Sequence, residues 1–138
     1  MQMIKDVMTT QAFTIEATSP IADAARIMSE RDVGDVLVMK KGELCGIVTD
    51  RDIVVRALAK GVTDAKIGDI CSMDPVCLSP DDTVDKAVQL MREKAVRRLP
   101  IVEGGMPVGM VSLGDLAMDR DPNSALADIS AAPPNNET

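Results

Sequence analysis

Ile21, Ala24, Ala25 and Met28 recur at helical spacing among polar neighbours, and Ser19 and Pro20 before them suit the N-cap and the first helical position. The pattern predicts an amphipathic helix there. Val36 to Met39 then forms a short apolar run that predicts a strand, Lys40, Lys41 and Gly42 a hairpin turn, and Leu44 to Val48 the returning strand, where Gly46 permits close backbone approach. A second helix is expected from Thr49 or Asp50, burying Ile53, Val54, Ala57 and Leu58 and stopping at Gly61.

The same succession of apolar and polar positions returns further along the chain. Ile4 to Val54 lies over Ile67 to Ala117 at a constant shift of 67 − 4 = 63 residues, with no gap. At that shift Asp6 meets Asp69, Ala24 meets Ala87, Met28 meets Met91, Gly46 meets Gly109 and Asp52 meets Asp115, while Thr49 falls on Ser112 and keeps a hydroxyl. In the second copy Asp82 takes the capping position, Val84, Ala87, Val88 and Met91 form the stripe, and Leu99 to Val102, Gly104 with Gly105, and Pro107 to Val111 form the hairpin. Each copy is expected to read strand, helix, strand, strand, helix, an α/β (α+β) class fold of two tandem repeats, residues 1–63 and 64–118. A tail, 119–138, follows: a turn at Asp119 to Asn123, a further helical turn at Ser124 to Ile129, and disorder from Pro133 to Thr138. A unit of about 60 residues buries only about 60% of its extended surface, so the copies are expected to pack together around a pseudo-twofold axis, joined by the short linker Lys60 to Lys66.

Composition narrows the function. The chain has 138 residues, 46% hydrophobic, with 15 basic and 22 acidic side chains and a net charge of −7. No apolar run approaches the roughly 20 residues of a membrane helix, and Met1 to Asp6 does not resemble a signal peptide, so a cytoplasmic protein without a membrane partner is expected. There is no histidine, and Cys45, Cys71 and Cys77 are not at metal-knuckle spacing, which disfavours triads and metal sites. Phe13 is the one aromatic residue, so no base-stacking platform is available, and the acidic balance opposes binding to nucleic acid. No enzyme is expected, since the carboxylates lack a base or metal partner and neither a P-loop nor G-x-G-x-x-G is present. The cysteines and most of the ten methionines fit core positions.

Candidate chemistry sits in Gly46 to Asp52 (GIVTDRD) and Gly109 to Asp115 (GMVSLGD), each with a hydroxyl three residues before a carboxylate where a strand feeds a helix. Two readings stand. In one, Thr49 and Asp52 form a capping box and bind nothing. In the other, helix-start amides and the hydroxyl receive phosphate while the carboxylate accepts from ribose hydroxyls.

Over Ile4 to Ala117 the sequence resembles the tandem cystathionine-beta-synthase (CBS) domain pair, or Bateman module. Lys5 to Thr9 (KDVMT), Asp23 to Met28 (DAARIM), Val33 to Val38 (VGDVLV), Gly46 to Ile53 (GIVTDRDI), Val96 to Val102 (VRRLPIV) and Gly109 to Leu116 (GMVSLGDL) carry the likeness in order and in duplicate. The resemblance implies a stand-alone regulatory module that requires no cofactor and binds an adenosine-containing ligand of the AMP, ADP or ATP class between its repeats. By position, one site would join Thr49, Asp52 and Arg51 with Pro75, Val76 and Cys77 and with Arg97, Arg98, Leu99 and Pro100. The other would join Ser112 and Asp115 with Ala12, Phe13 and Thr14 and with Gly34, Asp35, Val36 and Leu37. The arginine pair suits a phosphate and makes the first site the expected stronger one. A homodimer packed through its helices is expected. The alternative is a dimerising interaction scaffold without a nucleotide, in which T-x-x-D is only a cap.

Overall fold

The structure, a computed structural model, describes residues 2–121 and 123–132; the disorder expected from Pro133 to Thr138 lies outside them. Packing divides the chain into two units, residues 12–75 and residues 1–11 with 76–138.

In the unit of residues 12–75, β1 (Thr14–Glu16) leads into α1 (Ile21–Arg31), which returns the chain to β2 (Asp35–Lys40) parallel to β1. Lys41 and Gly42 both take positive φ, 53° and 78°, and turn the chain into β3 (Glu43–Thr49), antiparallel to β2. Such a turn matches the twist of the strands that it joins. Then α2 (Asp50–Asp52) continues as a π turn, Ile53–Ala57, and a 3-10 turn, Leu58–Lys60, before α3 (Ile67–Ile70) and β4 (Ser72–Met73), which pairs antiparallel with β3. Ile15, Ile21, Ala24, Val36, Val48 and Ile67 form its core. Gly61, at φ 73°, ends the second helix where expected.

The other unit begins with a 3-10 turn at Ile4–Asp6 and resumes with α4 (Val84–Lys94), the hairpin of β5 (Arg98–Glu103) and β6 (Met106–Ser112), α5 (Leu113–Arg120) and α6 (Ala125–Ala131). Ile4, Leu78, Val84, Leu99, Ile101 and Leu116 fill its core. Its expected first strand narrows to one parallel bridge, Leu78 to Ile101. In the first copy the Leu37 N–H donates to the Phe13 carbonyl; the equivalent position, 37 + 63 = 100, is proline and has no N–H to give.

Sequence repeat and packing unit partition the chain differently. Thr9 bridges Met110 as Ser72 pairs with Ile47, and Met3 bridges Thr83 as Lys66 bridges Pro20, each equivalent residue displaced by 63. The segments that open the two copies are thus exchanged, each completing the sheet built by the other. A Cβ at Gly46 would come within 2.7 Å of the Ser72 carbonyl oxygen, and one at Gly109 within 2.5 Å of that of Thr9. Only glycine lets the exchanged strand cross so close.

Four local expectations are corrected. Pro20 rather than Ser19 is the N-cap of α1, with no side-chain cap bond. Thr83, not Asp82, caps α4, its Oγ1 accepting from the Lys86 N–H at 3.2 Å, while Asp82 accepts from the Ser79 N–H at 2.7 Å. Val54 and Leu58 are 55% and 52% exposed rather than buried, because the π turn shifts the faces that α-helical spacing would assign. Finally, α5 runs through Asp119 to Arg120, so no turn begins at Asp119.

Candidate functional site

Each T/S-x-x-D closes on itself. The Thr49 N–H donates to Asp52 Oδ2 at 2.9 Å and the Asp52 N–H to Thr49 Oγ1 at 3.1 Å; Ser112 and Asp115 reproduce both distances. These are reciprocal capping boxes, so the capping geometry holds in both copies. What distinguishes the copies is the other carboxylate oxygen. Asp52, its side chain 13% exposed, holds the Arg56 guanidinium at 3.6 Å through Oδ1, and Arg56 also donates to the Ile70 carbonyl at 3.2 Å. The position equivalent to Arg56 is 56 + 63 = 119, an aspartate that accepts from Gln2 instead. Among the described residues no cation pairs with Asp115.

The strand leading into each box is positioned alike. Gly34 accepts from the Asp50 N–H at 3.0 Å, and Arg97 accepts through its carbonyl from the Leu113 N–H at 2.8 Å. Asp35 stands opposite Thr49 in the ladder and Arg98 opposite Ser112, which puts each pair on one face of its hairpin. In one unit the hydroxyl therefore shares its face with a carboxylate, and in the other with a guanidinium.

A pocket of about 540 Å³ opens in the second unit, lined by Arg97, Arg98, Ser112, Asp115, Leu126 and Ser130. Two arginines, two serines and an aspartate line it together with the apolar Leu113, Met118 and Leu126. That is the make-up of a small-molecule pocket, and the volume falls in the usual range of about 300–1,000 Å³. The other expected residues divide between the units. Leu99 and Pro100 lie on β5 and are buried, and Val76 packs against that unit's core. Burial raises the pKa of the half-buried Cys77 thiol, which keeps it protonated near neutral pH. Ala12, Phe13, Thr14, Gly34, Asp35, Val36 and Leu37 share the unit of Thr49, Arg51, Asp52 and Pro75. There the Phe13 ring receives the Arg31 guanidinium 5.5 Å from its centroid. Within single units the arginine pair thus accompanies Ser112 and Asp115, and Asp35 accompanies Thr49 and Asp52. Leu113, Gly114 and Met118 on α5 and Leu126 and Ser130 on α6 also line the pocket and are not among the residues expected from sequence. The local signal for the α6 pair is Ser124, whose hydroxyl caps that helix by accepting from the Ala127 N–H at 3.0 Å.

Among the described residues no group of three or more His, Cys, Asp or Glu could hold a metal ion, and no helix is long and apolar enough to cross a membrane.

The family model of the CBS domain matches residues 4–58 and again 67–120, once on each copy of the repeat. The chain belongs to the CBS domain family and carries the domain as a pair. It is 39% identical over 135 residues to the CBS domain-containing protein YhcV of Bacillus subtilis, covering 94% of this chain and 96% of that one. Among solved structures it resembles the CBS domain pair of protein MJ0100 in complex with 5′-methylthioadenosine and S-adenosyl-L-methionine, with a TM-score of 0.78, 23% identity, and 89% and 98% of the two chains covered. CBSX2 in complex with AMP gives a TM-score of 0.74 at 22% identity, with 86% and 96% covered. At these identities the two structures share the fold.

Proposed function

We propose that this protein is a regulatory module without catalytic turnover that binds an adenosine-containing ligand of the AMP, ADP or ATP class, with its phosphates at Arg97 and Arg98 and its ribose at Asp115. The observation that carries this is the 540 Å³ pocket in which that arginine pair meets Ser112 and Asp115. Guanidiniums bind phosphate in a fork, a carboxylate accepts from both hydroxyls of a ribose, and a serine hydroxyl can still donate while its oxygen caps α5. The ligands named for CBSX2 and MJ0100 support the adenosine class. The Arg56 partner of Asp52 supports a structural role for the first box, so the binding emphasis moves from Thr49 and Asp52 to Ser112 and Asp115. Ground-state hydrogen bonds with no activated nucleophile beside them leave a bound nucleotide intact. Thermal-shift screening against AMP, ADP, ATP, NADH and S-adenosylmethionine tests the reading. A ligand at one hundred times its Kd adds about 2.7 kcal/mol to the folded state, and no shift with any of the five contradicts the reading.

The module is also proposed to be a homodimer and to act in the cytoplasm. Val54, Val55 and Leu58 are exposed, and a groove of about 620 Å³ between α4 and α5 is lined by Val88, Met91, Val96, Leu113 and Leu116. Exposed apolar side chains on the one unit and an apolar groove on the other each favour association.

A further inference from the structure

We infer that α6, contributed by the tail, is the third wall of the Ser112–Asp115 pocket, and that Leu126 and Ser130 contact the ligand held there. The inference rests on the nucleotide reading above and adds to it the residues that close the site. Leu126 and Ser130 line the pocket together with the arginine pair, and Ala127, between them in sequence, is 2% exposed against its own unit. The approach of α6 depends on Gly114. A Cβ there would lie 2.9 Å from Ser130 Cβ and 3.7 Å from Ser112 Oγ, so Ser130 packs over a bare stretch of α5 close to the capping box. A hydroxyl from α6 and one from the capping box therefore flank the same space, with Leu126 offering an apolar surface beside them. The equivalent of Gly114 in the first copy is 114 − 63 = 51, an arginine. That helix start carries a long side chain where α5 carries none, so the same docking is not available to it. The glycine and the tail helix together make one box of the pair a walled pocket.

Two full-length variants separate this role from simple packing. Ala127→Glu, which does not line the pocket, places a charge in the docking face and lifts α6 away; Gly114→Ala pushes on Ser130 and raises the helix propensity of α5, so its unit remains folded. Calorimetric titration of AMP, ATP and S-adenosylmethionine, each separately, is expected to show the binding compound weakened roughly tenfold in both variants, since Leu126 and Ser130 contacts are lost together. Ser130→Ala removes the hydroxyl alone and weakens it roughly twofold to tenfold. In the wild type, the same compound slows amide hydrogen exchange across residues 126–131. Equal or tighter binding in Ala127→Glu, or exchange in α6 unchanged by ligand, overturns the role of α6 while leaving nucleotide binding intact. If none of the three compounds binds the wild type, the nucleotide reading falls and the α6 wall falls with it. Should Ala127→Glu lack a cooperative melt, Gly114→Ala and the exchange measurement decide.

Discussion

Asp52 and Asp115 occupy one position of the repeat, accept from the N–H of Thr49 and of Ser112 respectively, and differ in what their second oxygen meets. Arg56 holds that oxygen in Asp52, whereas the repeat places Asp119 where Arg56 would be. Asp52→Ala therefore costs stability, about 1 kcal/mol for the cap, and leaves nucleotide affinity nearly unchanged; a urea titration beside a binding isotherm shows both. Asp115→Ala instead costs affinity, roughly tenfold to over a hundredfold if a charge-assisted bond to ribose is lost. Asp82 supplies a pH dependence. The Ser79 N–H, and then Lys86, lower its folded pKa, so its stabilisation is present above the usual carboxylate pKa and is lost as pH falls through the depressed folded value. Asp82→Asn is expected to flatten the loss of stability in acid, and an unchanged acid limb in thermal melts contradicts this. The two boxes were legible in the sequence because their spacing is local. The neighbours that separate them were harder to read: Arg56 acts across one helical turn, and Ser130 reaches Gly114 only through tertiary packing.

At the scale of elements, Gly46 and Gly109 show where the repeat is held together. Each lies under a carbonyl of the exchanged segment, so Gly46→Ala forces the Ser72 backbone to move and is expected to destabilise its unit by about 1–3 kcal/mol. Chemical denaturation with an unshifted midpoint contradicts that account. Strands, hairpin turns and the first helix of each copy follow hydrophobic period and turn chemistry closely enough to be placed from sequence. Three features escape such reading for identifiable reasons. Cap positions slide by one residue where several polar groups compete, as Asp82 and Thr83 do. The π turn at Ile53–Ala57 breaks the period by which Val54 and Leu58 were assigned to the core. A proline at 100 removes one donor and leaves the second copy a bridge where the first has a strand.

In the whole molecule, the 63-residue repeat was visible without any structure, but the exchange of opening segments was not. Residues 4–9 and 67–72 carry the same pattern whichever sheet they complete, so local sequence does not specify the partner. The apolar residues left exposed by the π turn, with the groove between α4 and α5, lead to the expectation of a homodimer: light scattering at micromolar protein should return twice 14.7 kDa, and a mass near 14.7 kDa contradicts it. Arg97→Ala is expected to weaken phosphorylated ligands while sparing adenosine, because a guanidinium acts on phosphate rather than on base or sugar. The central claim is that an adenosine-containing ligand is held at Ser112 and Asp115, and calorimetric titration of AMP into the wild type, Asp115→Ala and Asp52→Ala tests it most directly. Saturable binding by the wild type, weakened at least roughly tenfold in Asp115→Ala and nearly unchanged in Asp52→Ala, is the predicted result. Wild-type affinity retained in Asp115→Ala, or a greater loss in Asp52→Ala, would contradict it.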